Sequence, residues 1–521
     1  MSGLLVKAFF TLVCLILVSV VYMGSETVAG IIDDAQLETN KVVVSSLPEQ
    51  FQYLQNTNYK YKGGSVLGES TDALTNAYAK SLPVLYYHGV SENQNIEDVK
   101  WDVFRDQMHI LKENGYSTIT MSQAQDFLIN GSSLPEKSFL LHFDDGRKDS
   151  FYPVDPILAE LDFNAVMFVI TSTISHPGNY HLGLDELRKM VESGRWELES
   201  HGHLGHSSAK INSSGELGHW YSNLLWLEDE GRLETVEEYK LRVTKDLRES
   251  KEYLKILFNH DVKYFAIPFG DYGQNRTNLS NSNEILSEIL ANEFVFSFYQ
   301  PWDENLDLNY VDNERNFVRR VGVESNWSAE DLLSELQKIS DKNVDFMDNF
   351  SIDTGWKSTW GDSQFTQQGF KIFATDDTTG SSSLLKGTYL WDNFQIDITA
   401  LNDIDTESFS ILAKMQDNGD YLECQFSEFG AAYREKVNGK LVTIKKWEID
   451  FKNFLANEQK YSLMARGNEI SCLFNSNLLG SQDASKNFNE HGLIGVSNWS
   501  KRPGLAETTL RELRSKSLGD E

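Results

Sequence analysis

Positive charge is in short supply in this chain of 521 residues. Lys and Arg number 47 against 77 Asp and Glu, giving a net charge of −30. Nucleic-acid phosphates are held by Lys and Arg, so this balance argues against a nucleic-acid partner. It also argues against docking on an anionic membrane through a basic patch. Cysteine is scarce too: Cys14, Cys424 and Cys472 are the whole set, and their spacing fits no zinc finger. Cys424 and Cys472 fall in strand-like segments, where they either pair in an oxidising compartment or stay buried as thiols. Only one long uncharged apolar run occurs, Ala8 to Met23, preceded by Lys7. It is short for a spanning helix, which needs roughly 20 residues, and reads as a signal anchor or cleavable signal peptide over residues 1–24. The lone Lys before the run and the acidic residues after it put the body outside the cytoplasm, membrane-anchored or, after cleavage, secreted.

What is present is enough for more than one core. The chain is 40% hydrophobic and 12% aromatic, which excludes a disordered protein, and its length predicts two domains. Residues 25–80 are polar and read as a spacer. From Leu82 short apolar runs alternate with helix-like stretches. The runs are VLYY (84–87), STIT (117–120), SFLLHF (138–143), AVMFVI (165–170), WELE (196–199), YFAI (264–267), FVFSF (294–298) and FVRRV (317–321). Helical spacing recurs at Phe104, Met108 and Leu111, and over Leu182 to Val191, Leu247 to Phe258 and Ile285 to Ala291. This α/β alternation predicts an irregular (β/α) barrel over residues 81–345. Residues 207–240 interrupt it and read as a helical excursion. Trp220, Tyr221 and Trp226 in that insertion could line a sugar groove or anchor the excursion to the body. Residues 346–503 lack helical patterns and read as an all-β, jelly-roll-like sandwich, a candidate carbohydrate-binding module. Residues 504–521 read as a charged tail, either a surface helix or frayed.

Chemistry concentrates where the barrel strands end. In such a barrel the reactive side chains sit just past the C-terminal strand ends. VLYY is followed by His88, SFLLHF by Asp144 and Asp145, WELES by His201 with His206 five residues on, and YFAI by Pro268-Phe269-Gly270-Asp271. Two imidazoles flanking a glycine-containing turn, plus one carboxylate, make a three-ligand set with an open position, the pattern of a catalytic zinc site. Cobalt, nickel or iron would accept the same donors. Adjacent carboxylates on a strand face opposite ways, so one of the Asp pair binds metal and the other accepts a proton. His203 competes with His206 but sits too close to His201, and His142 reads as a satisfied core histidine. His176, His181 and His219 read as surface or loop residues.

These residues resemble the NodB-homology polysaccharide deacetylases, carbohydrate esterase family 4, over roughly residues 82–340. HFDDG (142–146) is similar to that family's first motif, SHGHLGH (200–206) to its second, and IPFGDYG (267–273) to its third. The wide histidine spacing and LPVLYYHGV (82–90) resemble the poly-N-acetylglucosamine deacetylase branch. The resemblance implies Asp144 as general base, Asp145, His201 and His206 as ligands of a divalent metal, zinc first, His88 as general acid, and the Phe269 backbone N–H as an oxyanion donor. It implies an N-acetylated polysaccharide as substrate. His142 stands where the family has Thr, and the third motif lacks its arginine. Two alternatives share these residues: an inactive carbohydrate-binding scaffold, and a metal-dependent hydrolase of O-acetyl or other amide bonds. The C-terminal sandwich loosely resembles laminin-G or concanavalin-like jelly rolls. Trp356, Trp360, Trp391 and Trp447 are its candidate core or sugar-stacking residues.

Overall fold

Strands buried on both faces read as continuous apolar runs, and the first half of the chain is built from them. The computed structural model describes residues 78–519, apart from 94, 275–276, 302–307, 313–315, 449–456, 486–487 and 489–490. The apolar run 8–23 therefore lies outside the described residues, and no described helix is long and apolar enough to cross a membrane. Strands β1 (Val84–Tyr87), β2 (Ser138–Phe143), β3 (Ala165–Val169), β4 (Trp196–Ser200), β5 (Tyr264–Ala266) and β6 (Phe296–Tyr299) lie parallel, side by side in chain order. Two short strands complete the ring. β7 (Phe317–Arg319) pairs with β6, and β8 (Val321–Gly322), directly after it, pairs with β1. One stretch of six residues thus closes the barrel. The STIT run contributes only Ser117–Thr118, which pairs with the start of β2 and stays outside the ring.

Alternation along each strand divides the side chains between two cores. Val84, Leu140, Val166, Phe168, Phe298 and Val318 fill the barrel interior. Leu85, Leu141, Met167, Leu198 and Phe265 lie outside it, under the helices. His142 joins the inner set, with its ring 5.0 Å from that of Phe168 and 4.6 Å from that of Phe298. Burial holds it neutral, its pKa well below the ordinary imidazole value. It is a core histidine but not a satisfied one, since neither ring nitrogen has a hydrogen-bond partner among the described residues.

The helix-like stretches form helices Leu184–Glu192, Val236–Phe258 and Ser282–Glu293. The second is longer than its apolar pattern suggested. It starts at a capping box, in which Thr235 Oγ1 accepts from the Glu238 N–H and the Glu238 carboxylate accepts from the Thr235 N–H. The insertion before it is not a helical excursion. It holds two small antiparallel hairpins, Ser208–Lys210 with Leu217–His219 and Trp226–Leu227 with Arg232–Leu233. Trp220 and Tyr221 serve as anchors. The Arg242 guanidinium lies 4.0 Å over the Trp220 ring and donates to the Trp220 carbonyl, and Tyr221 is buried.

Beyond helix Ala329–Ile339 the chain turns into two antiparallel sheets packed face to face. Residues Glu507–Ser517 are no tail: they form a strand inside one of these sheets, paired with Phe394–Asn402 on one side and Gly369–Phe373 on the other. Thr508, Leu510 and Leu513 face the interior while charged neighbours face out, a half-buried strand pattern that the high charge content disguised. Trp356 and Trp391 are core residues, whereas Trp360 is 41% exposed. Leu384, Leu412, Met415 and Leu493 on the outer face of the other sheet join the barrel's outer core, and Arg319 pairs with Asp417 across the same contact.

Cys424 and Cys472 are disulfide-bonded and join the two sheets, closing a sequence separation of 48. Loop-closure entropy for that length corresponds to about 4 kcal/mol. Cys472→Ser should therefore lower the denaturant midpoint of the sandwich markedly, and an alkylating reagent should leave both cysteines unmodified until a reductant is added.

Candidate metal centre and active site

The inward-facing parity of each strand continues past its C-terminal end and selects the rim residues. On β1 it runs Val84, Tyr86, His88; on β2, Leu140, His142, Asp144; on β7 and the residue after it, Val318, Arg320. Arg320, at the seam between β7 and β8, donates through one Nη to both Asp144 oxygens at 2.7 and 2.8 Å. Both groups are buried, and the guanidinium also lies 4.4 Å over the Tyr86 ring. Burial alone would raise the Asp144 pKa, but the charge of Arg320, helped by His201, outweighs it and holds the carboxyl below its ordinary value.

Asp145 breaks the parity. Its backbone takes φ 69°, in the left-handed region that costs a non-glycine residue about 1 kcal/mol. The turn aims its carboxylate at two imidazoles. Asp145 Oδ1 lies 3.4 Å from His201 Nε2 and 3.2 Å from His206 Nε2. Burial again pushes this carboxyl up, and the three imidazoles of His201, His206 and His88 bring it below the usual range. His206 is held neutral, lowered to about 4 by burial and then by His201.

The turn between the histidines is shaped from outside. Asp246, buried on helix Val236–Phe258, accepts from the His203 and Leu204 N–H groups at 2.9 and 2.7 Å and from the Tyr221 hydroxyl at 2.5 Å. Gly202 (φ 87°) and Gly205 leave room for Tyr221, because a Cβ at either would come within 2.4 Å of its ring or hydroxyl. His203 turns away, its Nδ1 bonded to Thr171 Oγ1 at 2.9 Å. His201 Nδ1 faces the Ala266 carbonyl at 2.8 Å; a carbonyl only accepts, so Nδ1 carries a proton and Nε2 is the nitrogen turned toward Asp145.

A divalent ion fits this set. A tetrahedral ion with bonds of about 2.0–2.1 Å keeps its ligand atoms about 3.3 Å apart, close to the spacings found. The ligand atoms of Asp145, His201 and His206 all lie within 4.8 Å of one another, and Asp145 Oδ1 is buried with no hydrogen-bond partner among the described residues. The third-motif turn sits beside them. Phe269 has φ 61°, and its half-exposed ring lies 4.6 Å from that of His206.

Comparison with known proteins agrees with this geometry. Residues 131–286 match the polysaccharide deacetylase family model. The chain carries a polysaccharide deacetylase domain. The domain is 28% identical over 201 residues to the poly-beta-1,6-N-acetyl-D-glucosamine N-deacetylase of Escherichia coli strain K12, covering 36% of this chain and 30% of that protein. It is 24% identical over 214 residues to the enzyme of the same name from Staphylococcus aureus strain MRSA252, covering 40% of this chain and 67% of that one. The chain thus spans about a third of the length of the Escherichia coli relative. Among solved structures, a de-N-acetylase from Aggregatibacter actinomycetemcomitans aligns with a TM-score of 0.42 and 21% identity, over 49% of this chain and 98% of that one.

At one rim of the barrel Asp144, Asp145, His201, His206, His88 and Phe269 all gather. Arg320 and Asp246 escaped the sequence reading. Arg320 stood in view as the second arginine of FVRRV, and strand parity would have aimed it inward. Asp246 carried no local signal beyond being a carboxylate on the buried stripe of a helix. His219, read as a surface or loop residue, ends the hairpin strand Leu217–His219, and its ring stacks on Phe269 at 4.3 Å.

Two outcomes follow from this geometry. His201→Ala or His206→Ala should reduce bound divalent metal, measured by elemental analysis, well below that of the parent, while His203→Ala should leave it unchanged. Arg320→Ala strands a buried carboxylate and should cost about 3–5 kcal/mol of stability in chemical denaturation.

Proposed function

We propose that this chain is a metal-dependent hydrolase that removes N-acetyl groups from an N-acetylglucosamine-containing polysaccharide. The observation that carries this reading is the convergence of Asp145 Oδ1 with two imidazole Nε2 atoms beside an ionised, arginine-held Asp144. The family match and the names of the two relatives support the same reaction and substrate class.

Asp145, His201 and His206 would hold the ion, zinc being the first candidate for such a donor set, with cobalt, nickel and iron also suited. Bound there, it would supply Lewis acidity, acidifying water and polarising the acetamide carbonyl. Asp144 accepts the proton of the attacking water; Arg320 keeps it ionised and fixes its plane toward the rim. The Phe269 N–H, in a turn whose Gly270 and Asp271 N–H groups already bond to Ile267 and Pro268, stabilises the oxyanion, a contribution of ~3 kcal/mol for one such donor. His88, which follows β1 with the inward parity of that strand, protonates the departing amine. Acetate and a free amino sugar result.

An inactive scaffold was suggested by the missing third-motif arginine. A guanidinium from another strand, that of Arg320, pairs with Asp144, which supports the active reading. The Cys424–Cys472 disulfide supports the extracytoplasmic part of the proposal, with the body tethered by residues 1–24 or released by cleavage.

Acetate release from oligomers of N-acetylglucosamine, with and without chelator, tests the reading. Activity lost with chelator and regained with zinc is expected; activity indifferent to chelator would remove the metal from it. Asp144→Asn should retain metal and lose at least about 100-fold in kcat, and near-parental turnover would remove the base assignment.

A further inference from the structure

The hairpins of residues 207–235 deliver a fourth imidazole to the rim, one that the reaction above does not use. The His219 ring lies 4.3 Å from the Phe269 ring at an interplanar angle of 12°, a parallel stack. Phe269 in turn lies against His206. Beneath this stack sits Asp271, the last residue of the PFGD turn, buried except for 4% of its surface. Its Oδ2 is 2.6 Å from His219 Nδ1 and accepts from the Ser222 hydroxyl at 2.7 Å, while its Oδ1 accepts from the Gly273 N–H at 2.9 Å. A carboxylate only accepts, so Nδ1 carries a proton and Nε2 is the nitrogen left for an outside partner. The side chain is 35% exposed and Phe269 is 39% exposed. The rim therefore offers a part-exposed stack of phenyl and oriented imidazole next to His206. That pairing suits a pyranose, whose C–H face packs on an aromatic ring while its hydroxyl and acetamide N–H groups donate hydrogen bonds.

We propose that His219, oriented by Asp271, is a substrate-contacting residue that hydrogen-bonds through Nε2 to the sugar unit bound against the Phe269–His219 stack. The proposal rests on the deacetylase reading and goes further, assigning the insertion a part in recognising the polymer. A purely structural role for the pair is the competing account, and the other anchors of the insertion make the two separable. Ser222 keeps its own bond to Asp271, Asn278 donates to the Ile211 and Leu224 carbonyls, and Arg242 holds Trp220 and Asn223. Loss of the imidazole should thus leave the fold in place.

The test compares the metal-loaded parent with His219→Ala and His219→Gln on two substrates, an N-acetylglucosamine oligomer and 4-nitrophenyl acetate, which has no sugar to position. Losing one such hydrogen bond should lower kcat/KM on the oligomer about tenfold. The loss should fall mainly in KM, with activity on the aryl ester unchanged and with partial recovery in the Gln variant. Equal losses on both substrates would assign the pair a structural role and overturn the proposal, as would parental kcat/KM on the oligomer in His219→Ala. Calorimetric titration with the same oligomer separates the two layers of the argument. A parent that binds it but releases no acetate sinks the deacetylase reading, and in that case weaker binding by His219→Ala upholds the contact while equal binding overturns it.

Discussion

A buried ion pair, Asp144 with Arg320, ties the end of the second barrel strand to the segment that closes the ring. Two charges taken out of water are tolerated only when each satisfies the other, so the pair fixes where both strand ends must lie. Because Asp144 is occupied by the guanidinium, the neighbouring carboxylate is left for the imidazoles, and the backbone reaches them by turning through positive φ at Asp145. The division of labour between two adjacent aspartates is thus a consequence of how the barrel closes. Arg320 also sits where the closing segment changes partners, from β6 to β1, so ring closure and carboxylate orientation are settled by one residue.

Around that pair, each side chain at the rim is positioned by something else in the fold. The Ala266 carbonyl sets the His201 tautomer, and Asp246 draws in the backbone between the histidines. Tyr221 from the insertion fills the space that Gly202 and Gly205 leave. Supporting groups of this kind orient ligands that would otherwise sample several rotamers. Asp246 and Asp271 play parallel parts: each is a buried carboxylate that gathers donors from a turn and from the insertion. The insertion is therefore joined to both the histidine turn and the third-motif turn, although it contributes none of the three ligand atoms.

The sandwich meets the barrel through an apolar patch on one sheet's outer face and through Arg319, the residue before Arg320. Alternation sends these neighbours in opposite directions, one toward the sandwich and one toward the reaction centre. The closing segment is consequently held from both sides.

The sequence alone determined the alternation of strands and helices, the two domains and the set of residues at the strand ends. These are local properties: apolar periodicity, strand length and the chemistry of the side chain that follows each strand. It also grouped His201 and His206, which share a single short turn, with one carboxylate of the Asp144–Asp145 pair, and the family resemblance pointed to Asp145. Tertiary structure decided the rest. Nothing near Arg320 in the sequence marks it as the partner of Asp144, which lies 176 residues away. Residues 507–517 looked like a charged tail because a strand with one solvated face resembles a surface segment until its pairing partners are known. The contacts of His219 were hidden because its partners, Phe269 and Asp271, sit on another loop. Pairing across the fold depends on which elements the packing brings together, and local pattern carries no record of that.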